Sequence, residues 1–322
     1  MAGNENAPAR ALVKSLTPVG GAVFLLSEVE NTERKVLSTG VEPLNAALGI
    51  GGVPVGRIIE MFGSEGTGKS TLALMMAAQA QRAAPVLYLD AEHTLDQAYA
   101  VALGLDPALL VVAHPDSAEH CWDMMHVAAK AGQTSLIVLD SLAAIVPASE
   151  LDGTMGDSSV AESARINSRG IRNIVEPAAS SDTTVLITNQ TRQAIGRYSG
   201  MTTTGGNALK FYASVRISLS YDEVLKDGDT QVGLRVRATV KKNKCAPQGT
   251  TAVFDLIYGR GVSRGASLLD LALAKGVVSR AGAWFSLGKT RIGQGRLRVA
   301  TLLDQNEHLF TEVRSAVENA AG

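Results

Sequence analysis

Cysteine is nearly absent from this chain: Cys121 and Cys245 are the only two in 322 residues. Far apart and without C-x-x-C spacing, they form no disulfide framework or thiolate metal site, and reduced thiols are expected. Aromatic residues make up 4% of the chain, which argues against a nucleic-acid reader built on a platform of stacked rings. No apolar run is long enough to span a bilayer, and Met1-Ala-Gly-Asn-Glu-Asn6 has no basic segment leading into an apolar one. A cytoplasmic protein with no membrane partner is therefore expected. His114, His120, Cys121 and His126 lie close in sequence, but His120 and His126, six apart, fall on different faces of a helix, so no zinc site is expected. An excess of charge is missing too: 30 basic residues stand against 31 acidic ones, a total that predicts no partner. What is abundant is apolar material, 46% of the chain, enough for one large domain with a smaller appendage.

The strongest positive signal is Gly63-Ser-Glu-Gly-Thr-Gly-Lys-Ser70, a G-x-x-x-x-G-K-S pattern between the apolar run Arg57–Phe62 and the helical stretch from Thr71 to Gln79. Gly63, Gly66 and Gly68 permit backbone conformations that let the N–H groups of Ser64, Glu65, Thr67 and their neighbours converge on phosphate oxygens at the positive end of a helix. Lys69 is placed to reach the β- and γ-phosphates, the Ser70 hydroxyl to bind Mg²⁺, and Thr71 to follow at the helix start. Nucleotide binding is the expectation, with ATP and Mg²⁺ as the ligands.

Around that loop, near-continuous apolar runs alternate with helical stretches: Val86–Leu89, Leu109–Ala113, Leu136–Leu139 and Thr184–Ile187. This pattern predicts an α/β fold with a mainly parallel sheet covered on both faces. Ser214–Ser220, Gly233–Val240 and Thr251–Ile257 alternate apolar with polar and are expected to extend the sheet antiparallel. Residues 1–34 read as an arm, with a helix over Pro8–Leu16 and a strand over Ala22–Leu26, too small for a core of its own. The ATPase core is expected over 35–264 and a small C-terminal α/β domain, mostly helical in pattern, over 265–322.

Two strands end in acids. Leu136–Asp140 runs into Ser141, which puts Asp140 where a phosphate-loop enzyme orients Mg²⁺ through its water shell; locally, a turn-capping Asp explains it as well. Val86–Asp90 runs into Ala91-Glu92-His93, placing Glu92 at the edge where open α/β sheets bind ligands. Glu92 is the candidate general base for an attacking water, with a helix-start acid as the plainer alternative. Asn189-Gln190 ends a further strand, where an amide can sense a γ-phosphate or simply make a turn.

These elements, together with Leu37–Gly40, Gly51–Glu60, Asp90–His93, Leu139–Ala144, Gly153–Ser158, Thr202–Arg216, Lys242–Lys244, Ala281–Ser286 and Ile292–Gly295, resemble the bacterial RecA recombinases over about residues 35–300. The resemblance implies a RecA-like core and a DNA-dependent ATPase that forms helical filaments on single-stranded DNA, pairs it with double-stranded DNA and exchanges strands in recombination and repair. It implies that Glu92 activates water, that Asp140 serves Mg²⁺ with Ser141 beside it, and that Gln190 couples nucleotide to DNA. Asp96, Tyr99 and Tyr258 would hold the adenine. Lys242 and Lys244 would reach the γ-phosphate of a neighbouring subunit, as arginine fingers do. A LexA-type repressor is a further partner of such a filament.

The family's two DNA-binding loops correspond to about 150–161 and 189–206, both polar and Gly-rich. The second carries Arg192 and Arg197 and closes on Thr204-Gly205-Gly206-Asn207. After the first, Arg165, Arg169 and Arg172 fall on one helix face, either along a phosphate backbone or pairing with Glu162 and Glu176; the resemblance favours DNA contact for Arg165 and Arg172. From Arg260 to Arg298, eight basic residues meet one acid, Asp270, a segment expected to gather duplex DNA unless acids elsewhere balance it.

The chain departs from the family pattern in places. It stops at Glu318–Gly322 without an acidic tail, its arm is several residues short, and its second loop is about two residues short with Met201 in place of an acid. Val160 stands where a Met is usual. A ring-forming motor or helicase of the same fold, and a divergent paralogue that regulates recombination without efficient exchange, are the alternatives. The block Thr202–Arg216 argues against the first.

Overall fold

The computed structural model describes residues 7–28, 34–152, 160–193, 201–203 and 206–320. They divide into two compact units, 1–35 and 36–322. In the first, α1 (Ala7–Leu16) carries Pro8 in its first turn, tolerated because first-turn N–H groups have no intrahelical partner. Single 3₁₀ turns follow at Thr17–Val19 and Leu26–Glu28, and Arg10 pairs with Glu28 at 3.5 Å. The strand expected over Ala22–Leu26 does not form, because a strand needs a ladder partner and the described residues supply none. Leu12, Val19, Phe24 and Leu26 are left exposed.

The second unit opens with β1 (Val36–Leu37), α2 (Glu42–Ala47) and β2 (Val53–Pro54), the two short strands pairing antiparallel. Strand and helix then alternate through β3 (Ile58–Gly63), α3 (Lys69–Ala80), β4 (Val86–Asp90), α4 (Gln97–Ala102), β5 (Leu110–Ala113), α5 (Ala118–Ala131) and β6 (Leu136–Asp140). Next come α6 (Ala148–Asp152), α7 (Val160–Ser180), β7 (Thr184–Gln193), β8 (Met201–Thr203) and α8 (Ala208–Tyr212). The long strands β9 (Val215–Asp227), β10 (Thr230–Asn243) and β11 (Thr251–Ile257) lead to β12 (Gly261–Val262). The chain ends with α9 (Arg264–Ala274), β13 (Val278–Ala281), β14 (Trp284–Leu287), β15 (Thr290–Gln294), α10 (Arg296–Gln305) and α11 (Glu307–Asn319).

The main sheet has the order β12-β11-β10-β9-β3-β7-β6-β4-β5. Every pair from β9 to β5 is parallel, so β9, expected to begin an antiparallel extension, instead joins β3 in parallel; the antiparallel part starts at β10. The chain leaves α8 beside the start of β3, where the Ser214 N–H donates to the Ile58 carbonyl at 2.8 Å, so β9 sets out in the same direction as β3. One sheet face packs Leu72 and Met76 of α3 on Tyr88, Val138 and Leu186; the other packs Trp122 and Met125 of α5 and Ile171 of α7 on Ile137 and Ile187. Burial on both faces is why these strands read as unbroken apolar runs. Gly170 of α7 lies so close to the Trp122 ring that a Cβ there would come within 2.2 Å of it.

The C-terminal segment carries more strand than its helical pattern suggested: β13-β14-β15 form a three-stranded antiparallel sheet around a core of Leu269, Phe285, Val299, Leu303 and Val313. It joins the main sheet through four charges. Asp255 of β11, fully buried, pairs with Arg235 of β10 at 3.0 Å and with Arg296 at the start of α10. Asp270 of α9 pairs with the same two arginines, at 2.9 and 2.7 Å. Burial opposes ionisation of Asp270, but its bonds to Arg296 and Arg235 outweigh that and hold its carboxyl below the usual range. Two of the eight basic residues counted between 260 and 298 are thus spoken for, Arg296 here and Arg264 by Glu307. Arg280, Lys289 and Arg291 lie on the small sheet or its turn, and Arg291 stacks over the exposed ring of Trp284 at 5.1 Å.

Candidate nucleotide site

β3, β4, β6 and β7 run parallel and end at one edge of the sheet, so residues just beyond their last positions meet. The loop from Gly63 to Gly68 leaves β3 and enters α3. Gly66 and Gly68 adopt φ of 71° and 88°, the left-handed region, and a Cβ on Gly68 would strike the Leu256 side chain at 2.4 Å. Thr67 is buried and donates its hydroxyl to the Ser64 carbonyl at 2.8 Å, tying the loop across its base. Ser64, Glu65 and Ser70 are exposed.

Lys69 donates to the carbonyls of Gly63 at 3.2 Å and Ser64 at 2.8 Å. Burial lowers its ammonium from the ordinary value, against the pull of Asp140, Glu92 and Glu65, which favour the charged form. A cleft of about 470 Å³ opens beside it, within the size range of small-molecule sites. Lys69, Ser70, Glu92, Asp140 and Gln190 all line it, with Tyr99 and Tyr258 at its walls. The loop glycines, the lysine and the two ring walls suit a nucleotide; the Ser70 hydroxyl and the Asp140 carboxylate, both hard oxygen donors, suit Mg²⁺.

Sheet register sets the remaining positions. Gln190 lies opposite Gly63, at the mouth of the loop, and its backbone N–H donates to the Asn189 side chain at 2.9 Å. Asn189, fully buried, donates in turn to Glu60 at 3.2 Å, and Glu60 pairs with Arg216, whose guanidinium lies 4.6 Å over the Phe62 ring. Glu92 is exposed and accepts a bond of 2.5 Å from the Ser141 hydroxyl, which links the ends of β4 and β6. Thr71 and Tyr99 share a hydroxyl bond of 2.9 Å. Asp96 does not line the cleft: it caps α4, accepting from the Tyr99 N–H at 2.9 Å, and so sets where the Tyr99 ring begins.

Asp140 is 5% exposed and has two partners that the apolar reading of these strands did not single out. Tyr88 donates its hydroxyl to one carboxylate oxygen at 2.6 Å, and Thr188 donates to the other. Burial and the nearby Asp140 raise the Tyr88 phenol well above its usual value, so it is a donor. The available signal was a hydroxyl inside one apolar run and another directly after a second.

Other expected positions are not brought to this cleft. Lys242 lies at the far end of β10 and donates to the carbonyls of Lys210 and Phe211 at 2.7 and 2.8 Å, closing the end of α8. Burial lowers its ammonium first, and Lys244 and Arg216 add repulsion. Lys244, exposed, donates its backbone N–H to Ser214. Arg165, Arg169 and Arg172 share the exposed face of α7. Arg192 lies on β7 opposite Thr202 of β8, Gly206 has a φ of 85°, and Asn207 precedes α8. Arg197, Thr204 and Gly205 fall outside the described residues, as does most of the first loop.

Two protein families match this chain in succession: the one described as RecA N-terminal domain over residues 13–263 and the one described as RecA C-terminal domain over 266–322. Among curated proteins, the chain is 43% identical over 305 residues to Protein RecA of Bifidobacterium longum, covering 94% of this chain and 77% of that protein. It is 44% identical over 301 residues to Protein RecA of Chloroherpeton thalassium, covering 92% and 84%. Against Protein RecA of Azospirillum lipoferum the identity is 44% over 306 residues, covering 94% and 85%.

Proposed function

The chain belongs to the RecA family, and from that membership we propose that it is a DNA-dependent ATPase that assembles as a helical filament on single-stranded DNA and catalyses homologous pairing and strand exchange. The observation that carries this reading is the meeting of the phosphate loop, Glu92 and Asp140 in one cleft of a chain matched by both RecA domains.

In this reading the loop amides and Lys69 hold the phosphates of ATP. Ser70 and Asp140 serve Mg²⁺, the latter through water, and the ion when bound neutralises phosphate charge. Glu92, steadied by Ser141, orients the attacking water and takes up its proton. Gln190, one strand from the loop, reports the γ-phosphate to the segment that follows β7. Tyr99 and Tyr258 flank the base.

Lys242 and Lys244 complete the site of a neighbouring subunit. Among the described residues Lys69 is the cation that lines the cleft, while Lys242 bonds the end of α8 away from it, which supports this. The exposed apolar residues of the arm support assembly by burial against another copy. The arginine face of α7 and the residues around Arg192 and Gly206 contact single-stranded DNA, with base pairing supplying specificity. Arg280, Lys289 and Arg291 contact incoming duplex. The filament is cytoplasmic and offers a surface to a LexA-type repressor. No helix among the described residues is long and apolar enough to cross a membrane.

ATP turnover measured with and without single-stranded DNA tests the proposal, together with a strand-exchange assay. Hydrolysis should rise with DNA, and electron microscopy with a non-hydrolysable ATP analogue should show helical filaments. A rate indifferent to DNA, or closed rings, would overturn it.

A further inference from the structure

Asp140 has an unusual set of direct partners for a buried acid. Among the described residues no cation bonds it; Lys69, whose ammonium feels the Asp140 charge, gives its hydrogen bonds to Gly63 and Ser64. Its bonds are to two neutral hydroxyls, those of Tyr88 and Thr188, which are 2% and 0% exposed. A hydroxyl buried in an apolar strand is costly unless it is bonded, and a Phe or Val would fill either position without that cost. The Tyr88 hydroxyl answers to the carboxylate, and so does that of Thr188, whose other acceptor, the Leu139 carbonyl, lies farther off at 3.4 Å.

Register explains how they reach it. Tyr88 pairs with Val138 and Asp90 with Asp140, so Tyr88 and Asp140 lie on one face of neighbouring parallel strands, two positions apart. Leu139 pairs with Ile187, which brings Thr188 alongside Asp140 from the other flank. One donor arrives from β4 and one from β7, one for each oxygen. An ionised carboxylate accepts about four hydrogen bonds, so two acceptor positions are taken from within the sheet, and the same residue also lines the cleft.

We propose that Tyr88 and Thr188 are positioning residues for the nucleotide reaction: their hydroxyls clamp the Asp140 carboxylate between two strands so that its free lone pairs present a fixed acceptor to the water shell of Mg²⁺. This rests on the reading of Asp140 given above. Hydrogen bonds of this kind orient a group toward a metal without touching the metal, and removing one commonly weakens metal affinity about 10- to 100-fold. The clamp differs from a purely structural contact in what it controls: the demand for Mg²⁺, and not the affinity for nucleotide alone.

The test compares the full-length chain with Tyr88→Phe, Thr188→Val, Thr188→Ser and Asp140→Asn. A fluorescent ATP analogue is titrated first in EDTA, then at rising Mg²⁺. Tyr88→Phe and Thr188→Val should each raise the half-saturating Mg²⁺ about tenfold. Binding in EDTA should stay within about twofold of the parent, and Thr188→Ser, which keeps the donor, should behave as the parent. An unchanged Mg²⁺ requirement in both hydroxyl-free variants, with Asp140→Asn shifted, overturns the clamp and leaves the Asp140 reading standing. An unchanged requirement in Asp140→Asn overturns both. Equal loss of binding in EDTA would assign the hydroxyls to packing and also overturn the proposal. If Tyr88→Phe does not fold, the contrast between Thr188→Val and Thr188→Ser decides.

Discussion

Two buried carboxylate sites in this molecule are built in opposite ways. At the joint between main sheet and C-terminal helices, Asp255 and Asp270 face Arg235 and Arg296, and charges of both signs are matched within bonding distance. At the carboxyl edge of the sheet, Asp140 is held by hydroxyls, Glu92 by a hydroxyl, and Lys69 by carbonyls. Each of these three ions is bonded to a neutral group, and none of the three has an ion pair of bonding distance among the described residues. The first arrangement is glue; the second is a site in waiting, with binding capacity bought by leaving charges unmatched.

That contrast can be broken experimentally, most sharply at Lys242, which lies away from the cleft of its own chain. Lys242→Ala should lower DNA-stimulated ATP turnover about 10³-fold or more if Lys242 acts as a trans finger. Mixed in equal amounts with Lys69→Ala subunits, it should regain roughly a quarter of parental turnover, the share of head-to-tail interfaces that pair two intact halves. No recovery at any ratio would show that the cleft is not shared. Glu92→Gln, read in the same assay, should cost about 10²- to 10⁴-fold with an unchanged melting temperature. At the joint the signs reverse: Asp255→Asn should cost about 3–5 kcal/mol in chemical denaturation, because two arginines lose a buried partner. ATP affinity of the still-folded fraction should not change.

Acid should separate the two sites as well. Asp270 has its carboxyl held below the ordinary range, so its contribution is present above the usual carboxylate value and is lost as pH falls through the lower, folded one. Denaturation curves at falling pH should show the joint weakening below about pH 4, and Asp270→Asn should remove that part of the slope. The smallest effect concerns thiols. Burial pushes Cys121 up to about 12, whereas Cys245 is partly exposed, so alkylation of the native chain should stop at one equivalent, on Cys245.

Much of the sheet was legible because burial on both faces writes itself as apolar runs, and the phosphate loop because its glycines and lysine are fixed by backbone geometry. What was hidden depended on partners distant in sequence. Ala22–Leu26 has the composition of a strand, yet pairing is a property of two segments, and composition reports one. The parallel placement of β9 beside β3 was invisible for the same reason. Acids elsewhere were an open alternative for the basic segment between 260 and 298, but which residue they would pair was not legible, because the acids of Arg296 include Asp255, 41 residues away. Tyr88 lies inside an apolar run and Thr188 directly after one, where a single hydroxyl leaves the apolar pattern of a strand undisturbed. Lys242 was legible as a cation, while its distance from the cleft required the fold.

The placement of Trp122 and Trp284 gives the molecule two built-in optical probes. Trp122 is 5% exposed, pressed against Gly170 beneath the arginine-bearing face of α7, and bonded through its indole N–H to Asn167 at 3.0 Å. Trp284 is 40% exposed on the small C-terminal sheet, under Arg291. With only these two indoles in the chain, a water-soluble quencher darkens one and spares the other. Protection of Trp284 from the quencher on adding DNA therefore reports contact with the C-terminal sheet in unlabelled protein, with Trp122 as the internal reference.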